Sequence, residues 1–281
     1  MHSKLLNSKI NKPYYGAMPD TKGLNFFEED QNLTFLLKRY LSQEDNERAL
    51  PYLTELGKIA GDFLNELSMT ADKHQPVLVN FNSKGERIEE VEYHPAYKEM
   101  QNLGFSKYAL VAMSHKPVLG FSTKLPNVLK YAFWYLFVQS EFGLACPMSM
   151  TDAAARVLEE FADETMKQTF LPHMTSTDFN ELWMCGQFMT EKQGGSDVGA
   201  NTTIAKKVDD HWELWGDKWF CSNVTADLAL VLARPEGAPE GTKGLGMFIM
   251  PRRLPDGYLN KYKINRIKDK FGTRDFASGE V

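Results

Sequence analysis

The sequence predicts an α+β fold of two domains, helical over residues 1–175 and β-rich over residues 176–281. Three observations predict it. Apolar residues recur at steps of three and four from about residue 30 to 172, whereas after Pro172 they fall in short runs separated by Gly, Pro, Asn and Asp. Helices followed by strands, without regular alternation, point to two packed domains rather than one parallel α/β sheet. The chain's 281 residues, 43% hydrophobic and 25% charged, are those of an ordinary globular protein long enough for both.

The opening "MHSKLLNSKINKPYYG" lacks the apolar stretch of a signal peptide and the arginines of a transit peptide, so a cytoplasmic location is expected. "ALPYLTELGKIAGDFLNEL" sets Leu53, Leu56, Ala60, Phe63, Leu64 and Leu67 on one helical stripe, with Pro51 suited to its first turn. Residues 70–93 break the pattern with a hairpin around Lys84 and Gly85, and a shorter helix is expected near 94–103, after His94 and Pro95. "YAFWYLFV" (131–138) lies in a helical segment over 127–145. It is far shorter than the roughly 18 residues that suggest a membrane span, so it reads as a buried helix. "SMTDAAARVLEEFADETMKQTF" opens with Ser149 three residues before Asp152, a spacing like that of a capping box, and carries Val157, Leu158 and Phe161 on one face. The boundary between the halves falls in "LPHMTSTDFNE" (171–181).

In the second half, "LWMCGQF" (182–188) reads as a largely buried strand. "HWELWGDKWFCS" (211–222), "ADLALVLARPE" (226–236), "LGMFIMPRRL" (245–254) and "YKINRIKDK" (262–270) are further strand-length segments. Trp183, Trp212, Trp215 and Trp219 are expected to build the β-core. "GTRDFASGEV" reads as the start of another strand, whose unpaired edge suggests that more chain follows Val281.

Charge and composition narrow the functions. A net charge of -5 argues against whole-chain affinity for nucleic acid or anionic membrane. Cys146, Cys185 and Cys221 are odd in number and far apart, and the six histidines have no ligand spacing, so neither a disulfide framework nor a metal site is expected. The one basic concentration runs from Arg252 to Arg274. It reads as a solvated sheet face, with ligand phosphates, a partner subunit or nucleic acid as alternatives.

The segment with most chemistry is "MTEKQGGSD", Met189 to Asp197. It offers N–H groups at Gly194 and Gly195, unshielded by a Cβ, and hydroxyls at Thr190 and Ser196. Such groups suit a phosphate or the polar edge of a heterocycle. An ordinary surface turn has the same composition, and the common nucleotide-loop spacings are absent. Further on, "GDKWFCSN" (216–223) carries Trp219, Phe220 and Ser222, able to stack on a flat ring and hydrogen-bond to it. With "ADLALVLAR" and "KDKFGTRDFASGEV", these segments resemble the middle β-domain of the acyl-CoA dehydrogenase family, with its T-E-x-x-x-G-S-D turn, G-x-K-x-[WF]-x-[ST]-N strand and later K-x-G-x-R segment. "MTEKQGGSD", "HPAYKEM" and "ACPMSMTDAA" are most similar to the AidB-like branch, flavoproteins of the bacterial response to alkylating agents. The resemblance covers the chain from about residue 70.

The resemblance implies a mostly antiparallel, β-barrel-like domain that binds FAD and acyl-CoA. Thr190 matches the residue whose hydroxyl meets the pyrimidine end of the isoalloxazine, with Gln187, Phe188 and Met189 on the same edge. Gly195 and Ser196 match the pair near the FAD pyrophosphate, Ser196 also facing the acyl-CoA substrate. Ser222 matches the residue touching flavin N5 and O4, flanked by Phe220 and Cys221. The implied reaction takes a proton from the α-carbon of a thioester while a hydride leaves the β-carbon for the flavin, and a carboxylate must accept the proton.

Lys192 stands where many dehydrogenases have Pro, and Phe220 where they have Trp, which puts a conventional fatty acyl-CoA substrate in doubt. The family's basic glutamate belongs to a C-terminal helical domain. No catalytic residue is therefore assigned in this chain: the base is expected beyond Val281, with weak or absent FAD retention and no turnover by residues 1–281 alone. The resemblance also implies a homo-oligomer, dimer or tetramer, in the full-length form. Duplex DNA binding belongs mainly to the C-terminal region of the branch, and a non-enzymatic DNA-protection flavoprotein is the alternative function. Glu191 reads as structural, bonding local N–H groups, and Cys221 also suits a small buried apolar role.

Overall fold

The computed structural model describes residues 20–281; the reading of the first sixteen residues lies outside the described residues. Helices α1 (Phe26–Glu29) and α2 (Gln31–Tyr40) start at Asn25 and Asp30, whose side chains accept the N–H groups of Phe27 and Leu33 at 3.1 and 2.8 Å. α3 (Gln43–Ile59) starts at Ser42, which accepts from the Asp45 N–H at 3.0 Å, and continues through a π-helical turn (Ala60–Leu64) into α4 (Asn65–Lys73). Pro51 therefore lies inside α3 rather than in its first turn. Ser42 caps the helix two turns earlier, and buried Ala49 extends the apolar stripe toward it. Two glycines let α1 and its approach cross this rod closely. A Cβ on Gly57 would stand 2.6 Å from the Phe27 Cβ, and one on Gly61 would overlap the Leu24 carbonyl.

Strands β1 (Val77–Phe81) and β2 (Arg87–Glu92) form the expected antiparallel hairpin, with Gly85 at its tip at φ +79. α5 (Pro95–Gln101) follows, capped by His94 and extended by a second π-helical turn (Asn102–Lys107). α6 (Asn127–Val138) ends before a loop over 139–144, and α7 (Ala145–Phe161) begins after it; α8 (Glu164–Met174) closes the helical half. The expected capping role of Ser149 is not realised, because Ser149 lies within α7 and its Oγ donates to the Cys146 carbonyl at 2.9 Å. Asp152 is drawn instead to the buried Lys130 ammonium of α6 at 2.6 Å, and its other oxygen lies 3.0 Å from His115 Nε2. An ammonium inside an apolar helix is costly without such a partner. Tyr97, Phe105, Tyr108, Phe133 and Phe137 fill the core between these helices.

The second half is an eight-stranded sheet of β3 (Cys185–Phe188), β4 (Ile204–Val208), β5 (His211–Trp215), β6 (Cys221–Ser222), β7 (Leu228–Pro235), β8 (Gly246–Pro251), β9 (Arg266–Ile267) and β10 (Ser278–Glu280). Its order is β5-β4-β7-β3-β6-β10-β9, with β8 on the other edge of β7, and it is antiparallel except where β7 meets β3 and β4. β3 pairs with Leu228–Val231 and β4 with Arg234–Pro235, so the two occupy successive stretches of one edge of β7. Residues 189–203 leave that edge and return to it. This detour carries the candidate site.

Several local readings need correction. Segment 211–222 is two strands, parted by Gly216 at φ +150 and the turn after it. Segment 262–270 shrinks to β9, and β4 escapes a pattern reading because Ile204 is exposed while small Ala205 is buried. Trp212, Trp215 and Trp219 do not join the β-core, whereas Trp183 packs, partly buried, against the cluster of Cys185, Leu228 and Leu230. Trp212 and Trp215 are 42% and 60% exposed on β5, which has a β-neighbour on one edge only, and Trp183 stacks on His173 at 4.4 Å. The core is made by smaller side chains from several strands and loops, including Phe188, Cys221, Val224, Ala229, Val231 and Ala277. On the sheet's other face, Ala154, Ala155 and Leu158 of α7 meet Cys185, Leu228 and Leu230, and the Cys185 N–H donates to Thr151 Oγ1 at 3.0 Å. Among the described residues no helix is long and apolar enough to cross a membrane.

Candidate functional site

The base of the 189–203 detour is closed by one carboxylate. Glu191 accepts from the Thr202 and Thr203 N–H groups at 2.7 and 3.1 Å, from both their hydroxyls, from Gln193 Nε2 at 2.6 Å and from the Lys218 ammonium at 2.7 Å. Burial alone would raise its pKa, but Lys218 and the Thr202 and Thr203 donors outweigh burial and lower it to about 2. Glu191 is thus a buried anion that ties the two ends of the loop together. Within the loop, Glu191 and Gly194 exchange main-chain hydrogen bonds, and Asn201 Nδ2 donates to the Met189 carbonyl at 2.6 Å.

The two motif segments are brought side by side. Gln187 stands opposite Ser222 across the antiparallel β3–β6 pair, and the Trp219 N–H donates to the Thr190 carbonyl at 2.8 Å three positions further on. Residues 187–190 and 219–222 therefore run together for about 10 Å. Side-chain direction alternates along them. Phe188 and Cys221 point into the β-core and can meet a ligand only through their main chain, while Gln187 and Ser222 share the opposite face and Met189 packs toward α7. Phe220 is 47% exposed at φ +57, a conformation that turns its ring out of the sheet. Gly195 folds back over Thr190, so that a Cβ there would lie 3.7 Å from Thr190 Cγ2. Ser196 is exposed nearby on the loop. Among the described residues, the N–H groups of Thr190, Gly195 and Ser196 and the Ser196 hydroxyl have no hydrogen-bond partner.

Cations surround the aromatic pair. Lys192 and Arg266 lie 5.0 and 5.4 Å from the Trp219 ring centre, and Lys268 lies 4.7 Å from that of Phe220. Arg266 also pairs with Glu280, and other members of the basic run are dispersed: Arg252 donates to the Glu89 carbonyl and Lys270 turns inward. Ser222 gains partners that the sequence reading did not include. Its Oγ lies 3.2 Å from Ser278 Oγ, the Cys146 thiol of α7 lies beside it, and Lys270 Nζ lies 3.5 Å from Ser278 Oγ. The alternation of "FASGEV" set against "WFCSN" is the signal that could have paired the two serines. Beneath this corner, Asp275 meets Glu141 and presses against Gly143, where a Cβ would overlap its carboxylate. Burial first, then the neighbouring Asp275 charge, pushes the Glu141 carboxyl up to about 8.

Residues 17–181 match the family model "Adaptive response protein AidB N-terminal domain", and residues 186–281 match "Acyl-CoA dehydrogenase, middle domain". The AidB protein of Escherichia coli (strain K12) is 34% identical over 241 residues, covering 82% of this chain and 42% of AidB. A solved structure described as Bd2924 in its apo-form superposes with a TM-score of 0.85 at 35% identity, covering 95% of this chain and 53% of that one. ACDH-11 of Caenorhabditis elegans, solved in complex with C11-CoA, gives 0.81 at 27% identity, covering 96% and 47%. The chain thus spans about half the length of the relatives it matches. On these matches and on the fold, the chain belongs to the acyl-CoA dehydrogenase family, in its AidB-like branch.

Proposed function

We propose that this chain provides the FAD-binding and thioester-facing part of an oxidoreductase acting on CH–CH bonds, for the α,β-dehydrogenation of an acyl-CoA. Its parts are a helical domain over 1–175 and a β-domain over 176–281. The observation that carries the reading is the side-by-side course of 187–190 and 219–222, with the unpaired N–H groups of Gly195 and Ser196 alongside. That donor set fits FAD. Ser222 and Gln187, on one face, would meet the polar edge of the ring, and Phe220 would pack against it. Thr190 and the main chain of Phe188, Met189 and Cys221 would line the same edge. Gly195 and Ser196 would meet the pyrophosphate, and Ser196 the acyl-CoA, with Lys192 and Lys268 supplying nearby positive charge.

Bound FAD supplies the two-electron acceptor, and this chain's residues orient it and screen it from water. They do not supply the base. Glu191, the buried carboxylate of the loop, is saturated by six donors and held anionic far below the range of a proton acceptor working at neutral pH. Residues 1–281 alone are therefore expected to bind FAD weakly and to show no turnover. An acyl-CoA substrate is supported by the family and by the C11-CoA bound in the ACDH-11 structure; assembly as a homo-oligomer in the cytoplasm completes the reading.

The test is a titration of the purified protein with FAD, followed by flavin absorbance and fluorescence. A saturable red-shifted spectrum is expected. A flavin spectrum unchanged from free FAD at millimolar cofactor overturns the reading.

A further inference from the structure

We infer that Lys270 is a positioning residue: acting through Ser278, it fixes the Ser222 hydroxyl as a donor directed toward the ligand. The inference rests on the FAD reading above. Lys270 Nζ donates to the Phe276 carbonyl at 2.7 Å and lies 3.5 Å from Ser278 Oγ, with the Phe276 ring centre 3.4 Å away. Ser278 is the register partner of Ser222 across the β10–β6 pair, and their hydroxyl oxygens are 3.2 Å apart. The main chain holds this geometry, since Lys268 N–H donates to the Ser278 carbonyl at 2.7 Å and Asn223 N–H to the Ala277 carbonyl at 2.9 Å.

The direction of the chain follows from which groups can donate. An ammonium has three protons and no lone pair, so Ser278 Oγ faces it as an acceptor and keeps its own proton for another partner. The nearest hydroxyl is that of Ser222. Ser222 then accepts from Ser278, and its proton is left for a third group. The Cys146 thiol beside it is a weak acceptor, which a ring nitrogen or carbonyl would displace. Without the cation, the serine pair could point either way. Burial pulls the Lys270 pKa down to about 8, with Lys268 acting in the same sense and Asp275, Asp72 and Cys146 against it, so the ammonium is the main form at pH 7. Asp275 is itself in contact with Glu141.

The experiment compares the unaltered protein with Lys270→Met, Lys270→Arg and Ser278→Ala by FAD titration and by flavin midpoint potential at saturating FAD. Lys270→Met is expected to weaken FAD about three- to tenfold, the size of one hydrogen bond. It is also expected to make the potential more negative, because a directed donor stabilises the electron-rich reduced ring more than the oxidised one. Lys270→Arg restores both, and Ser278→Ala reproduces Lys270→Met, with the double variant no worse than either alone. A purely structural lysine would change the melting temperature and leave the potential of the bound flavin unmoved. Lys270→Met that binds FAD with unchanged affinity and potential overturns the relay alone. An unaltered protein that takes up no FAD overturns the parent reading and the relay with it.

Discussion

Glu191 and Lys218 meet at 2.7 Å with side chains only 2% and 4% exposed, one at the start of the candidate loop and the other just before β6. Glu191→Gln strands the buried ammonium and is expected to lower stability by about 3 kcal/mol in urea unfolding. Lys218→Met should cost a similar amount, and the double variant less than the sum. The acid limb follows the same carboxylate. Its folded pKa, about 2, lies below the ordinary 4.5, so the stability it contributes is complete above about pH 4.5 and is lost as pH falls toward 2. Glu191→Gln should unfold with a flatter acid limb.

Thr151 joins the two halves. Its hydroxyl accepts the buried Cys185 N–H at 3.0 Å and donates to the Pro147 carbonyl at 2.8 Å. Thr151→Val is expected to cost about 1–3 kcal/mol, the penalty of an unsatisfied buried donor, while Thr151→Ser retains most of the bond. Thermal unfolding of the three proteins side by side checks this. Equal melting temperatures for the Val and unaltered forms would remove the hydroxyl from the account.

Glu141 predicts the opposite pH limb. Its folded pKa is raised, so the folded state keeps a proton that the unfolded chain has released. Stability is therefore fully present below about pH 4.5 and declines as pH rises toward 8, by at most about 1.4 kcal/mol per pH unit for the one group. Glu141→Gln, neutral throughout, should flatten the melting temperature between pH 5 and 8. A profile identical to that of the unaltered protein would show that Glu141 is not held protonated in the folded state.

Ser222→Ala removes the hydroxyl opposite Gln187 without touching the core face of β6. FAD affinity is expected to fall about fivefold with little change in melting temperature, read by fluorescence titration and calorimetry. Cys221→Ser, on the core face, should show the reverse pattern, loss of stability with FAD affinity retained.

Much of this architecture was legible because period and punctuation act locally. The switch from helical spacing to short strands near Pro172, the 77–92 hairpin and the buried α6 all follow from neighbouring residues. What sequence did not disclose depends on partners far along the chain. Lys130, just before the apolar run of 131–138, is buried because Asp152, which also meets His115, awaits it across the helix pair. Ser149 fitted a cap until the helix was seen to start at Ala145. At the candidate site, the family resemblance singles out residues of the loop and of 219–222, but it does not disclose the contacts of Ser278, Lys270 and Cys146. Ser278 and Cys146 reach Ser222 from a later strand and from the opposite half of the molecule, and Lys270 reaches Ser278 from the loop before that strand.

Because β3 and β4 rest one after the other against the same edge of β7, the residues between them lie off that edge except at Thr203, whose carbonyl accepts the Arg234 N–H at 2.8 Å. The segment is fastened by the Glu191 clasp at its neck and by Arg234, whose guanidinium donates to the Gly199 carbonyl at 2.9 Å, so its exposed residues can change while the scaffold persists. Ligand preference in this architecture can therefore evolve without renegotiating the strands.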